Sequence, residues 1–235
     1  MSIASYIKVI GRGKEGARAL NQAQAHDLMS QVLDGRVSDL EIGAFALAMR
    51  IKGETGDELA GFLQATEERC LHLAPPRPAV LLASYNGARR LPNLTPLLAL
   101  LLARAGLAVL VHGPLQDPGR VTSAMIFEAL GLPPAGSAAD VQAAWDRREP
   151  AFIAIETLSP QLAKLLAVRW TVGLRNSGHT IAKLLDPCSS EDGPPALRVI
   201  SYTHPEYGKG HADFLAATRA NAMLLRGTEG EPVAD

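Results

Sequence analysis

Apolar side chains in residues 1–73 recur at the three- and four-residue spacing of amphipathic helices. They fall into three stretches, which are Ala25, Leu28, Met29 and Val32; Ile42, Phe45, Ala46 and Met49; and Leu59, Phe62 and Leu63. Each stretch follows residues that begin helices, namely Asn21, the capping-box pair Ser38 and Glu41, and the capping-box pair Thr55 and Glu58. Gly35 is suited to end the first helix. The pattern predicts a small helical bundle over residues 1–73.

The apolar pattern changes after a proline-rich linker at 74–78. Short apolar runs that suit buried strands now alternate with stretches that suit helices. The predicted strands are 79–83, 107–111, 152–155, 197–202 and 222–225, and the predicted helices are 94–105, 121–130, 138–148, 160–168 and 212–219. Residues 189–195 are predicted to form a loop. The alternation predicts an α/β domain over 79–235 with a mostly parallel sheet.

The composition is that of a globular protein. The 235 residues are 47% hydrophobic and 20% charged, which suits one large domain or two small ones. Cys70 and Cys188 are too few for a disulfide framework and wrongly spaced for zinc. The N-terminal residues do not resemble a signal peptide, and Pro96 and Arg104 interrupt the most apolar later stretch, 94–111. We therefore expect a cytoplasmic protein with reduced thiols and no membrane partner.

The charge balance argues mildly against nucleic-acid binding by the whole surface. The formal net charge is −1, whereas proteins that hold nucleic acid by its backbone usually have a basic excess. A local basic surface remains open, because binding depends on where the charge lies. The N-terminal segment has such a cluster, with Lys8, Arg12, Lys14 and Arg18 against the single acidic residue Glu15.

The segment after the first predicted strand is a candidate anion site. Small residues there lead into a helix N-terminus, where free backbone N–H groups and the helix dipole favour anions. The candidate residues are Asn86, Gly87, Arg89, Arg90, Asn93 and Thr95. An ordinary capped turn with solvated arginines is the alternative, and it stays open at this point.

Three further segments offer four candidates. His112 follows the second strand, where a lone histidine has either a structural role or the role of a base. Arg120 precedes the next helix, and Arg175 and Lys183 flank a small polar segment. These cations are candidates for phosphate contact or, equally, ordinary surface charge.

The order of these motifs resembles glycosyltransferase family 3. The segments that carry the resemblance are DGRVSDLEIGAFALAMRIKGETGDELAGF at 34–62, then SYNGARRLPNLTPLLALLL, VLVHGPLQDPGRV, LRNSGHTIAKLLDP, THPEYG and RGTEGE. Anthranilate phosphoribosyltransferase and the thymidine phosphorylase group share this domain order. The residues of these motifs are most similar to those of the YbiB branch of the family. The resemblance to that branch implies DNA binding.

The resemblance implies a two-domain fold and a dimer. Residues 1–73 correspond to the family's helical domain, and 79–235 to its α/β domain, which in the family continues further, so we expect a C-terminally truncated domain. The resemblance also implies that residues around 160–178 pack on the helical domain. It further implies a homodimer formed through that domain.

The departures from the transferase motifs predict that the transfer chemistry is lost. The transferase's GTGGDG loop corresponds to residues 84–89, where only Gly87 is a glycine, so side chains keep the backbone from a pyrophosphate. Its KHGNR motif corresponds to 111–115, which keeps only His112 and the glycine after it. Arg175 matches the arginine that contacts anthranilate. Charge stabilisation at the leaving pyrophosphate is most of what such an enzyme supplies.

No metal site stands out in the sequence. The resemblance places the transferase's magnesium-binding Asp-Glu pair at Pro232 and Val233, whose side chains have no oxygen. Glu229 and Glu231 lie nearby but two residues apart in a predicted loop, which is a weak metal signal. We therefore expect no cofactor, and magnesium only if the protein is a transferase.

Three hypotheses follow for function. The first is a sequence-nonspecific DNA- or RNA-binding homodimer, the second a phosphoribosyltransferase-like glycosyltransferase with altered sites, and the third a protein-interaction module. Under the first, no residue is catalytic. The expected phosphate contacts are Lys8, Arg12, Lys14, Arg18, Asn86, Gly87, Arg89, Arg90, Asn93, Thr95, Arg120, Arg175 and Lys183.

Overall fold

The computed structural model describes residues 2–188 and 195–234, which form two compact units. The helical unit combines Met1–Cys70 with Ser159–Leu185, and the sheet unit combines Leu71–Leu158 with Asp186–Asp235. Residues 189–194, most of the loop predicted at 189–195, lie outside the described residues, as does the side chain of Lys14.

The secondary structure follows the predicted order. The helices are α1 (Ala4–Ile10), α2 (Gly13–Gly16), α3 (Gln22–Leu33), α4 (Asp39–Lys52), α5 (Gly56–Glu67), α6 (Thr95–Arg104), α7 (Ser123–Ala129), α8 (Ala138–Asp146), α9 (Ile155–Leu158), α10 (Pro160–Val172), α11 (Ser177–Leu184) and α12 (Pro205–Ala217). The strands are β1 (Ala79–Ala83), β2 (Ala108–Gly113), β3 (Ala151–Ala154), β4 (Leu197–Tyr202) and β5 (Ala222–Arg226). The helical domain and the parallel-sheet α/β domain predicted from the sequence are both confirmed.

The helical unit is organised by the caps that the sequence shows. Asn21, Ser38 and Thr55 each accept a hydrogen bond from the backbone three residues on, and capping boxes close all three helix starts. Phe45 of α4 and Phe62 of α5 meet edge to face in the core, with ring centroids 5.8 Å apart. The short helices α1 and α2 were not predicted individually.

Residues 159–185 belong to the helical unit although they follow three strands in sequence. The boundary between the units is therefore not a single point in the chain. Pro160 occupies the first turn of α10, and Gly173 ends that helix in the left-handed conformation. Asn176 then caps α11 in a capping box with His179. The sequence pattern did not predict α11.

The sheet unit is built on a parallel sheet in the order β3-β2-β1-β4-β5. All residues of β1, β2 and β3 are buried, as expected for strands covered on both faces. The core includes Val80, Leu82, Val109, Val111, Phe127 and Phe152. Because the strands are parallel, the loops that follow β1 and β5 leave the sheet at the same edge, its carboxyl edge.

No helix within the described ranges combines the length and the apolar character that crossing a bilayer requires.

Candidate functional site: the loop after β1 and its carboxylates

The candidate anion site is formed by the loop after β1, residues 84–91, and by the segment after β5, residues 227–234. The second segment makes a short 3-10 turn at Thr228–Gly230. It then folds back on itself, because Thr228 donates its backbone N–H to the Val233 carbonyl. Both segments belong to the sheet unit.

The carboxylate of Glu231 lies inside the loop and is 2% exposed. One oxygen, Oε1, accepts the backbone N–H groups of Asn86 at 2.9 Å and of Gly87 at 2.6 Å. The other, Oε2, accepts the hydroxyl of Thr95 at 3.1 Å and the hydroxyl of Ser84. Four donors therefore satisfy a buried carboxylate, which is the condition for burying one at tolerable cost.

The carboxylate of Glu229 occupies a second group of donors on the same loop. Its Oε2 accepts the backbone N–H groups of Arg89 at 2.6 Å, Arg90 at 3.1 Å and Leu91 at 3.4 Å. These backbone donors, that of Arg89 foremost, lower the pKa of Glu229, and the charge of Arg120 adds to the effect. Two neighbouring anion-binding positions on one loop are thus both filled by the chain itself.

Two glycines allow the loop and the segment to approach so closely. Gly87 has φ +64, and a Cβ there would lie 3.0 Å from the Val121 carbonyl oxygen. Gly230 has φ +87, and a Cβ there would lie 1.6 Å from Nδ2 of Asn86. Only glycine fits both the conformation and the space at these positions.

The structure brings together four of the predicted phosphate-binding residues and gives them a different partner. Asn86, Gly87 and Thr95 donate to Glu231, and Asn93 supports the loop by accepting from the backbone N–H of Thr95 at 3.2 Å and donating to Ser123. The acceptor that the structure shows at these donors is a carboxylate of the chain. A phosphate would reach these donors only by displacing it.

The predicted cations of the loop lie around this site. The side chains of Arg89 and Arg90 are exposed, while their backbone N–H groups hold Glu229. Arg120 donates from Nη1 to the carbonyl of Gly87 at 3.2 Å, which ties it to the loop.

The remaining predicted cations belong to the helical unit. Arg175, half-buried, precedes α11, and Lys183 lies in the last turn of that helix. In the N-terminal cluster Lys8, Arg12 and Arg18 are exposed. The candidate phosphate contacts are therefore divided between the two units.

The surroundings of His112 favour the structural alternative over the role of a base. It lies in β2, 1% exposed, with its Nδ1 2.9 Å from the hydroxyl of Tyr85. Burial lowers the pKa of His112 to about 4. A histidine that is neutral and enclosed in the sheet fills space in the core.

The residues at this edge do not fit a magnesium ion. Pro232 and Val233 offer no side-chain oxygen, and the carboxylates of Glu231 and Glu229 are directed to N–H and O–H donors. Over residues 2–188 and 195–234, no group of three or more His, Cys, Asp or Glu side chains is placed to hold a metal ion.

The sequence pattern did not identify Glu229 and Glu231 as part of this site, beyond a weak metal signal. The usable signal was their position: two acidic residues separated by a glycine, directly after a strand whose carboxyl end shares an edge with β1. The contacts themselves join residues up to 147 positions apart, which no local pattern displays.

Comparison with known proteins relates both units to one family. Residues 4–70 match the helical bundle domain of the glycosyl transferase family. The chain is 43% identical to the Escherichia coli (strain K12) protein YbiB over 238 residues, which covers 100% of this chain and 73% of YbiB. It is 28% identical to an anthranilate phosphoribosyltransferase of Symbiobacterium thermophilum, covering 95% of this chain and 64% of that enzyme.

Solved structures show the same fold. The crystal structure of anthranilate phosphoribosyltransferase from Thermus thermophilus matches with a TM-score of 0.70 at 22% identity, over 91% of this chain and 63% of that one. The Saccharomyces cerevisiae enzyme in complex with PRPP and Mg matches with a TM-score of 0.75 at 15% identity, over 98% and 67%. The chain thus spans about two thirds of the length of these enzymes. It belongs to glycosyltransferase family 3, as a relative of YbiB built on the anthranilate phosphoribosyltransferase fold.

Proposed function

We propose that this protein binds DNA or RNA through the phosphates, without sequence preference, and does not transfer phosphoribosyl groups. The observation that carries the proposal is the occupation of the loop after β1 by the chain's own carboxylates. Glu231 and Glu229 take the backbone donors that a phosphorylated donor substrate would need, whereas the side chains of Arg89 and Arg90 remain exposed.

The chemistry of the exposed arginines supports this proposal. A guanidinium forms paired hydrogen bonds with phosphate oxygens, so Arg89 and Arg90 suit a nucleic-acid backbone. The exposed residues Lys8, Arg12 and Arg18 of the helical unit form a second basic cluster. The proposed contact set consists of these five residues together with Asn93, Arg120, Arg175, Lys183 and Lys14. Phosphates carry no sequence information, so such binding is indifferent to sequence.

The experiment is a salt titration of binding. Fluorescence anisotropy with labelled oligonucleotides of unrelated sequence should give similar affinities at each salt concentration. The affinity should fall with a log–log slope of roughly −0.9 for every phosphate neutralised on duplex DNA. Absence of binding at roughly 50 mM salt, the low end of the usual range, would refute the proposal.

A pair of double variants locates the contacts. Arg89→Ala/Arg90→Ala should weaken binding equally for all sequences and flatten the slope by up to roughly 1.8, the value for two phosphates. The matched control is Arg147→Ala/Arg148→Ala, which removes another adjacent pair of exposed arginines from the same unit. That pair follows α8 and precedes β3, so it lies at the opposite edge of the sheet. Equal effects of the two double variants would show that only net charge matters.

Phosphoribosyl transfer is the second candidate, favoured by the similarity to anthranilate phosphoribosyltransferase over 95% of the chain. The protein should yield no product above background with anthranilate, phosphoribosyl pyrophosphate and magnesium, because the donor loop is filled and the magnesium pair is absent. Turnover at an ordinary enzymatic rate, about 1–1000 per second, would establish this candidate instead.

We also propose a homodimer formed through the helical unit. Leu40, Leu47 and Ile51 of α4 are 84%, 46% and 58% exposed, so this helix presents apolar side chains at the surface. Leu47→Glu/Ile51→Glu should convert a dimer into a monomer by light scattering at micromolar concentration. Leu101→Glu, on an exposed position of α6, is the control that should leave the mass unchanged. A monomeric parent protein would contradict this proposal.

A cytoplasmic location completes the proposal. Cys70 and Cys188 are free thiols, and burial raises the pKa of Cys70 to about 11 and that of Cys188 to about 12. Such thiols are unreactive and suit a reducing compartment. We propose no cofactor, and a need for magnesium only if the transferase candidate holds.

A further inference from the structure

An exposed tryptophan lies in the helical unit, in the last turn of α10. Trp170 is 58% exposed, whereas the other tryptophan, Trp145, is 1% exposed in the sheet unit. A single exposed apolar side chain is ordinary at a protein surface, but a tryptophan hides most of its surface in the average protein. The surroundings of the Trp170 ring therefore decide whether it is a binding element.

A guanidinium group holds the ring of Trp170 from one side. Cζ of Arg169 lies over the ring, 4.1 Å from its centroid. The negative face of an indole attracts a cation at this distance, so the two side chains restrict each other's rotation. The guanidinium covers one face of the ring, and the 58% exposure of the residue leaves the remaining ring surface in contact with solvent. The result is a flat aromatic surface that is ordered before any partner arrives.

The turn that follows the exposed ring is fixed to the rest of the helical unit. Asn176 donates from Nδ2 to the Leu165 carbonyl of α10 at 2.7 Å. A Cβ at Gly178 would lie 3.2 Å from the side chain of Leu165, so α10 and α11 pack closely. The hydroxyl of Ser177 donates to the carboxylate of Glu54 at 2.6 Å. A rigid support of this kind lowers the entropic cost of binding a partner.

The chain around the exposed ring is basic. Residues 157–185 contain four Lys or Arg residues and no Asp or Glu, although the whole chain has a net charge of −1. The four cations are Lys164, Arg169, Arg175 and Lys183. Burial, together with the positive charges of Arg175, Arg169 and Lys183, lowers the pKa of His179 to about 3. Three of the cations therefore act on one side chain of α11, which places their charges close together.

We propose that the ring of Trp170 stacks on an unpaired base of single-stranded nucleic acid, while the cations around it attract the neighbouring phosphates. The proposal rests on the proposed function and adds to it a preference for single strands over duplexes. A duplex covers the faces of its bases, whereas a single strand offers them to aromatic side chains. An apolar protein partner would match the ring but not the excess of positive charge around it.

Stacking agrees with binding that is indifferent to sequence. Every base has an aromatic face, so a ring that stacks on bases does not select among them. The cations contribute through the phosphates, which also carry no sequence information. The ring therefore distinguishes the form of the nucleic acid, single strand or duplex, and not its sequence.

The direct test compares the parent with Trp170→Ala by fluorescence anisotropy. The probes are a labelled oligothymidylate and a labelled duplex of the same length. The affinity for the single strand should fall about 5- to 150-fold, the usual value of one stack between a base and an aromatic ring, and the affinity for the duplex should not change. Equal losses for both probes, or no loss for the single strand, would overturn the proposal.

Two control variants separate stacking from other effects of the substitution. Trp170→Phe keeps an aromatic ring and should retain most of the affinity for the single strand. Leu174→Ala removes an apolar side chain, 41% exposed, from the turn after α10, and it should bind both probes as the parent does. The salt dependence gives a further control, because Trp170→Ala removes no phosphate contact and should leave the log–log slope unchanged. A flatter slope would show that phosphate contacts were lost instead of a stack.

A second measurement uses the fluorescence of the parent protein. Saturation with unlabelled oligothymidylate should quench the emission of Trp170, because a stacked base contacts the ring, and should leave that of the buried Trp145 unchanged. The quenching should therefore be absent from Trp170→Phe and on saturation with the duplex. Full binding of the single strand without quenching would overturn the proposal.

The remaining outcomes distinguish this proposal from the others. The mass of Trp170→Ala by light scattering should equal that of the parent, and a change in mass would assign the ring to a contact between copies of the chain and overturn the proposal. A parent that binds neither probe refutes the proposed function, and stacking with it. A parent that binds both probes, with Trp170→Ala binding as tightly, refutes stacking alone.

Discussion

Replacing Glu231 by alanine should destabilise the sheet unit through the donors that it leaves without an acceptor. The buried carboxylate accepts from Asn86, Gly87, Ser84 and Thr95. A buried donor left unsatisfied costs about 1–3 kcal/mol. The hydroxyl of Ser84 keeps Ser123 as an alternative partner, 2.7 Å away.

The two backbone N–H groups therefore determine most of the magnitude. At about 1–3 kcal/mol each, they set the expected loss in the free energy of unfolding at about 2–6 kcal/mol. Glu231→Gln should cost less, since its amide oxygen can still accept from Asn86 and Gly87 and the hydroxyls can turn to accept from its amide nitrogen. The order of stability should be parent, then Glu231→Gln, then Glu231→Ala.

Urea denaturation followed by tryptophan fluorescence can resolve this loss, because each unit contains one tryptophan. Trp145, buried in the sheet unit, reports on the site, and Trp170 belongs to the helical unit. The background variant Trp170→Phe leaves Trp145 as the only signal. The midpoint should fall with an unchanged denaturant slope. A loss for Glu231→Ala no larger than that for the exposed control Glu128→Ala would refute the reasoning.

Three further changes test other parts of the structure. Gly230→Ala should displace residues 227–234 from the loop after β1, because its Cβ would overlap Nδ2 of Asn86. In a double-mutant cycle with Glu231→Ala, the two losses in the free energy of unfolding should therefore be non-additive. Glu58→Ala should lower the stability of the helical unit by about 3–5 kcal/mol, because it leaves Lys52, bonded at 2.6 Å, without its buried partner. Trp170 fluorescence during urea denaturation measures this stability. A loss under about 1 kcal/mol would contradict the prediction. His112 should make the protein less stable as the pH falls from about 6.5 to about 4, since its pKa is lowered on folding and the unfolded state takes up the proton first. Unfolding at pH 7 and pH 5 should show this dependence. His112→Gln should reduce the dependence without abolishing it, because burial also lowers the pKa of His179, to about 3.

The fold was predictable from the sequence where local patterns and tertiary structure agree. The strand predicted at 79–83 is β1, and the three predicted helix caps all form. The prediction agrees less well with the structure where glycines within a helix weaken its sequence pattern. The helix predicted at 212–219 in fact begins at Pro205. Its first turns contain Gly208 and Gly210, which weaken the helical pattern, so the sequence did not indicate them.

Of the candidate site, the sequence predicted the hydrogen-bond donors but not the acceptors. The donors of residues 84–91 follow from the local rule that small residues before a helix N-terminus favour anions. The acceptors do not, because Glu229 and Glu231 reach this loop through the order of strands in the sheet. Bringing the two segments together requires knowing that β4 alone separates β1 from β5, which is a property of the folded sheet.

The distance in sequence between donors and acceptors has a consequence for how the protein is made. Ser84 and Glu231 are 147 residues apart. A ribosome that adds about 5–20 residues per second needs roughly 7–30 s to pass from one to the other. Through that interval the first strand of the nascent sheet ends in a loop whose amides have only water or dissolved anions as acceptors.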